Sequence, residues 1–357
     1  MGGWGMSAYS IIVFLMLLAY TFYMGFNGGS NAIATTVATR AIKVRPAIFL
    51  SALINFLVPV GMWLLAKRGI STASIASNIG TKMIYPHYFD TINTEKMAFA
   101  FMFSGLLGSM IWAIISFKTK VPISVSHTLL GGVFGAAVAA FSTLNCLQWK
   151  ESVLLDVFGM ILIAPAVSML LSYILMKLAK RWLWRASRRV DGVLINVQKI
   201  NFVILTSAFA SNNGQKSLGI AFLMASIGLL DFTEFSNMPF GVVAGVGGAL
   251  MLGMLRGGYS IMRTIGRKLY KVEPLHSVVA QLTTSTITMT GNLTGIPLGM
   301  GQAMTAAVIG TGAADRIKAV NWTTAGKITI GWTLTMPIAM AIGATAYMII
   351  GKLILKV

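Results

Sequence analysis

Acidic side chains are scarce in this chain, with 9 Asp and Glu among 357 residues against 28 Lys and Arg. Cysteine occurs once, at Cys146, and histidine three times, at His87, His127 and His276. A single cysteine excludes an internal disulfide and a cysteine-based metal cluster. With the histidines in three separate segments, neither a metal-assisted hydrolase nor a base-activated nucleophile has an assembled set of parts. A membrane enzyme acting on phosphorylated lipid is therefore a weak reading. The expectation is a protein that is not an enzyme and has no metal or organic cofactor. A basic leader is missing too: Met1 to Ser7 carries no charged side chain, so the first apolar run is expected to be retained.

What fills the chain instead is apolar. Hydrophobic residues make up 56% of it, charged residues 10%, and the mean hydropathy is +0.78, outside the range of soluble domains. Runs of roughly 17–25 apolar residues recur along the whole length, as helices crossing a bilayer require. The alternating strands of a membrane barrel are not there. The fold class is thus an all-α integral membrane protein whose first partner is the lipid bilayer. A formal charge of +19 reads as a topology signal, with no nucleic-acid partner expected. The basic clusters Arg40 to Arg45, Lys177 to Lys199 and Arg256 to Lys271 belong on the cytoplasmic side. A short chain without a large soluble insertion suits a bacterial plasma membrane, and its glycine-rich spans permit a homodimer as readily as a monomer.

One stretch organises the rest. Val121 to Ala140, VPISVSHTLLGGVFGAAVAA, is barely long enough to span, yet opens with Pro122, Ser124, Ser126, His127 and Thr128. A helix starting there leaves its first N–H groups unpaired, which makes an anion site, and the hydroxyls can donate alongside. Gly295 to Ala314 is a second copy. It lies over the first without a gap at an offset of 175, with Pro122 on Pro297, His127 on Gln302 and Gly135 on Gly310. Gly299, Gly301 and Gln302 then join the candidate anion ligands. His127 either orients the site or is a buried imidazole.

A second pair of features precedes these. The run Ala8 to Phe26 ends in NGGSNAIATT, and the run Asn201 to Leu230 contains SNNGQKSLG, with Asn27 falling on Asn212 at an offset of 185. Asparagines and glycines at membrane depth are expected to break both helices, tolerable only beside protein or a cavity. Asn27, Asn31, Asn212 and Asn213 are candidate ligands for the anion or for a cation, or else they satisfy backbone freed by the breaks. Lys216 is an intramembrane lysine and so a functional candidate by default. Between the paired features, Lys67 to Lys96 looks extramembrane with mixed charge, whereas its counterpart, Arg256 to Lys271, is strongly basic. Equivalent loops on opposite faces imply inverted-topology repeats with broken helices and re-entrant hairpin segments, about 10–12 membrane segments in all. The repeats are residues 1–176 and 201–357, joined by a basic cytoplasmic linker at 177–200. Such repeats point to a secondary transporter with its site near the midplane. An anion channel could use the same basic, glycine-rich path.

The motifs resemble those of the inorganic phosphate transporter (PiT) family over most of the chain. GFNGGSNAIATTVATRAI from Gly25 is similar to the family pattern GANDVANAFGTSVGSKAL, with ASNNGQKSLG from Ala210 as its second copy; PISVSHTLLGG from Pro122 resembles the P-V-S-T-T-H motif, with PLGMGQAM from Pro297 as a decayed copy. GRKLY at Gly266 and VNW at Val320 to Trp322 are also family-like. The resemblance implies a phosphate carrier working by alternating access, with Na+ or H+ as coupling ion and a sulfate or other oxyanion permease as the nearest alternative. Both acidic positions of the family's asparagine motifs are changed, to Gly28 and Asn213. Lys216 stands where the second motif has asparagine, either pairing with the anion or sitting where a sodium ion would otherwise be.

Overall fold

The computed structural model describes residues 7–70, 72–119, 121, 123–148, 153–185, 190–257 and 272–357, without the side chains of 29–31, 153–158 and 319. Its helices are α1 Ala8–Ala38, α2 Val44–Ala66, α3 Ser74–Lys82, α4 Glu95–Thr119, α5 Val125–Phe141, α6 Val153–Leu183, α7 Val190–Ser226, α8 Phe240–Arg256, α9 Pro274–Thr294, α10 Met300–Asp315 and α11 Trp322–Tyr347, the last continuing as a π-helix through Met348–Leu355. Six of them (α1, α2, α4, α6, α7 and α11) are long and apolar enough to cross a membrane. The chain is a multi-pass membrane protein. Helices α5 and α10, of 17 and 16 residues, are too short to do so alone. They begin inside the protein.

The asparagine motifs do not interrupt their helices. α1 runs unbroken from Ala8 to Ala38 and α7 from Val190 to Ser226, which corrects the expected breaks. Asn and Gly cost a helix up to about 1 kcal/mol each relative to Ala. An unpaired backbone group in hydrocarbon costs several kcal/mol. The backbone ladder therefore wins, and the motif acts through which side chains it presents. Segment 67–96 contains α3, whose Ile75, Ala76, Ile79 and Gly80 are buried against α7, with the N–H of Ile75 donating to Gln215 Oε1 at 2.9 Å. Of the third basic cluster, Arg256 ends α8, whereas residues 258–271, GRKLY among them, lie outside the described residues. Asn321 of the VNW stretch caps α11, accepting from the N–H of Thr324 at 3.0 Å.

Helix partnerships repeat between the halves. α4 packs on α5 and α9 on α10, while α6 covers α10 and α11 covers α5, so each short helix is flanked by its own hairpin partner and by the last helix of the other half. Glycines allow these contacts at matching places. A Cβ on Gly135 would lie 1.9 Å from the carbonyl oxygen of Met340 on α11, and one on Gly310 would lie 2.2 Å from that of Met169 on α6. The 175-residue repeat read in the sequence is thus also a repeat of packing. At the far end of α10, the Asp315 carboxylate accepts from Lys180 of α6 and from His276 of α9, tying three helix ends together. Asp315→Asn is expected to lower stability by about 1–2 kcal/mol, to be measured by thermal unfolding of the purified protein in detergent.

Candidate functional site

The N-termini of α5 and α10 meet over a small cavity of about 40 Å³, whose lining includes Met24, Asn27 and Gly28 of α1, Ser124, Val125 and Ser126 at the start of α5, Phe209 and Asn213 of α7, and Gly299, Met300, Gly301 and Gln302 at the start of α10. The lining is doubly paired. Ser124, Val125 and Ser126 correspond to Gly299, Met300 and Gly301 at the 175 offset, and Met24 and Gly28 correspond to Phe209 and Asn213 at the 185 offset. Both copies of both motifs face one space. In α1 and α7 the contacts follow helical spacing: Met24 to Gly28, and Phe209 to Asn213 with Lys216 one turn further on, are successive positions on one face. Gly28 and Asn213 confront each other, since a Cβ on Gly28 would stand 3.3 Å from Asn213 Nδ2.

Polar groups around the cavity are largely donors. Ser124 caps α5 by its backbone, and its buried Oγ has no partner among the described protein atoms. The opening N–H groups of α5 and α10 have no intrahelical acceptor by helix geometry, and both helix dipoles present their positive ends here. Gln302 folds back over its own helix start, permitted by Gly299: a Cβ there would fall 1.9 Å from Gln302 Oε1 and 3.1 Å from Ser124 Oγ. Both amide atoms of Gln302 are buried without a protein partner among the described residues. Behind the wall, Lys216 is fully buried, and its Nζ donates to Ser126 Oγ and to the Leu298 carbonyl, each at 2.6 Å. Among the described residues no carboxylate pairs with it. A buried lysine with no carboxylate beside it, next to two helix N-termini, is an arrangement whose donors and positive dipole ends suit an anion.

Not every candidate from the sequence reaches the cavity. Thr128 turns its hydroxyl to the Ser124 carbonyl at 2.9 Å, and Tyr20 of α1 fixes the same turn by donating to the Val125 carbonyl at 2.7 Å. His127 is fully buried behind the wall, outside the lining. Asn212 donates to Asn292 Oδ1 of α9 at 2.8 Å, and Asn292 in turn to the Ala208 carbonyl at 3.2 Å, so Asn212 holds α7 to α9. Asn27 lines the cavity and donates to Tyr23 Oη at 3.2 Å. The side chain of Asn31 and the whole of Pro122 lie outside the described residues. Tyr20, Gln215 and Asn292 support the site without having been singled out from the sequence; Tyr20 lies one helical turn before Met24 on the lining face of α1, a signal that the spacing carried.

The sequence pattern described as the phosphate transporter family matches residues 24–207 and 188–343. The chain belongs to that family. Among its relatives, a probable low-affinity inorganic phosphate transporter of Rhizobium meliloti (strain 1021) is 32% identical over 345 residues, covering 95% of this chain and 96% of the relative. One of the same description from Bacillus subtilis (strain 168) is 29% identical over 348 residues, covering 96% and 98%. A solved structure, the sodium-dependent phosphate transporter, superposes with a TM-score of 0.79 at 19% identity, covering 98% of this chain and 100% of that one; it shares the fold. The two positions that the resemblance to the family's asparagine motifs implies as acidic, Gly28 and Asn213, meet across the cavity without a carboxylate, and Lys216 lies one helical turn beyond Asn213.

Proposed function

We propose that the protein is a secondary transporter that moves inorganic phosphate across the membrane by alternating access between two inverted repeats, residues 1–176 and 201–357, with 177–200 linking them on the cytoplasmic side. The observation that carries this reading is the convergence of matching positions from both halves on one small, donor-rich cavity. An ion held there touches both halves at once, so rocking one against the other exposes it first to one face and then to the other. Ser124, Ser126, Asn27, Asn213, Gly299, Gly301 and Gln302 form the substrate shell, with Lys216 supplying charge through Ser126. The cavity has space for a few water-sized bodies, on the scale of a small oxyanion, and none for a larger substrate. That supports a carrier over an enzyme. The amide oxygens of Asn27 and Asn213 are the available ligands for a coupling Na+, and H+ is the alternative coupling ion.

Gln302 favours phosphate over sulfate. Its amide offers a donor and an acceptor, both needing partners. Phosphate near neutral pH keeps a P–OH that can donate to Oε1, whereas sulfate has no proton to give and would leave that oxygen unpaired at a cost of about 1–3 kcal/mol. Purified protein in liposomes is therefore expected to accumulate labelled phosphate saturably, with unlabelled sulfate competing about tenfold or more less well than phosphate. Gln302→Leu is expected to narrow that gap. Sulfate accumulation that displaces phosphate would assign the protein to sulfate transport, and flux that neither saturates nor shows counterflow would make it a channel.

A further inference from the structure

We propose that the Lys216 ammonium is a built-in cation standing where a coupling ion would bind, so that phosphate transport by this protein does not require sodium at that position. The inference rests on the phosphate-carrier reading for its transport consequences, and on geometry for the site itself. Nζ lies between a hydroxyl oxygen, Ser126 Oγ, and a backbone carbonyl oxygen, Leu298 O, at 2.6 Å each. These are oxygen types that a hard cation selects. They come from opposite halves: Ser126 opens α5, and Leu298 directly precedes Gly299 and α10. A cation in that position ties the two helix starts together around the anion, which is the task of a coupling ion in an occluded carrier.

The surroundings fit a tethered charge better than a diffusible one. Gly28 and Asn213 supply no carboxylate, so a free sodium ion entering here would shed its water for neutral oxygens only, at a large desolvation cost. Lys216 brings the charge on its own chain and loses no translational freedom when the site forms. With the ammonium in place, a sodium ion at the same oxygens would face a like charge within a few ångströms, in surroundings of low polarity. The ammonium therefore provides the charge and excludes the ion.

The test compares labelled phosphate uptake into liposomes in sodium chloride and in choline chloride for the wild-type protein, Lys216→Asn and Lys216→Ala. Wild-type rates are expected to agree within about twofold in the two salts. The shorter side chains leave the oxygens open, so each variant is expected to lose about a hundredfold in choline and to recover by about tenfold or more in sodium. Wild-type uptake that rises about tenfold with sodium, or variants that keep wild-type rates in choline, would overturn the inference. Thermal unfolding in detergent reads the same site without transport. Sodium in place of choline should leave the wild-type midpoint unchanged and raise that of a variant, and a sodium-induced rise in the wild type alone would sink the idea. Wild-type protein that takes up no phosphate in either salt would remove the carrier reading, while the unfolding comparison would still decide whether Lys216 fills a cation site.

Discussion

Lys216→Met is expected to abolish phosphate uptake, by about a hundredfold or more, in sodium and choline alike, while the protein still folds. Methionine has nearly the length of lysine, so it fills the same space without donor or charge. The Leu298 carbonyl loses its charge-assisted bond, and Ser126 Oγ loses the other. More costly is the effect on the anion. Burying a charged oxyanion between two helix N-termini without a nearby cation leaves an uncompensated charge, and removing one partner of such a pair costs about 3–5 kcal/mol, or about two to three and a half powers of ten in affinity. Unlike the shorter Asn and Ala variants, the methionine leaves no space for sodium, so no salt should rescue it. Uptake assays on protein that elutes as a single species in size-exclusion chromatography check this, and wild-type rates in the methionine variant would show that Lys216 lies outside the transport machinery.

Gly135→Leu and Gly310→Leu are expected to fail as folded proteins, and to fail to a similar degree. At each position a Cβ alone would collide with the backbone of the covering helix, 1.9 Å from the Met340 oxygen in one case and 2.2 Å from the Met169 oxygen in the other. Backbone cannot step aside as a side-chain tip can. The helix pair must separate, and with it the start of the short helix shifts at the cavity. Even alanine is expected to cost about 1–3 kcal/mol at either site. Yield from membranes and the unfolding midpoint in detergent measure the effect. A matched pair of losses supports equivalent roles for the two positions, whereas one harmless substitution would show that the repeat in sequence is not a repeat in function.

Much of this architecture was legible in the residues because membrane spans need long apolar runs, and the runs Ala8 to Phe26 and Asn201 to Leu230 fall largely within α1 and α7. The two hydroxyl-motif copies could be aligned by eye, and their meeting at one cavity was implied by inverted repeats. Helix continuity at the asparagine motifs was not legible. Local propensity opposes a helix there by small amounts, and the larger penalty for unpaired backbone is set by surroundings that the sequence does not state. Asn212 and Asn213 show a second limit. Adjacent residues on a helix point about 100° apart, so only one can face the cavity, and packing against α9 decides that it is Asn213. Two histidine-motif equivalents divide likewise: Gln302 lines the cavity while His127 lies behind it. The contact between Lys216 and the two helix starts joins residues 82 and 90 positions apart, beyond the reach of any local pattern.

The most direct measurement is the location of a bound oxyanion in an experimental structure determined with arsenate, a tetrahedral analogue of phosphate that scatters more strongly. The expected result is one tetrahedral density between the starts of α5 and α10, with oxygens within about 3 Å of Ser124 Oγ and of the N–H groups at Met300 and Gly301. Arsenate bound only elsewhere, for example along the basic surface around Lys177 and Arg181, with nothing between the two helix starts, would contradict the assignment of this cavity as the substrate site.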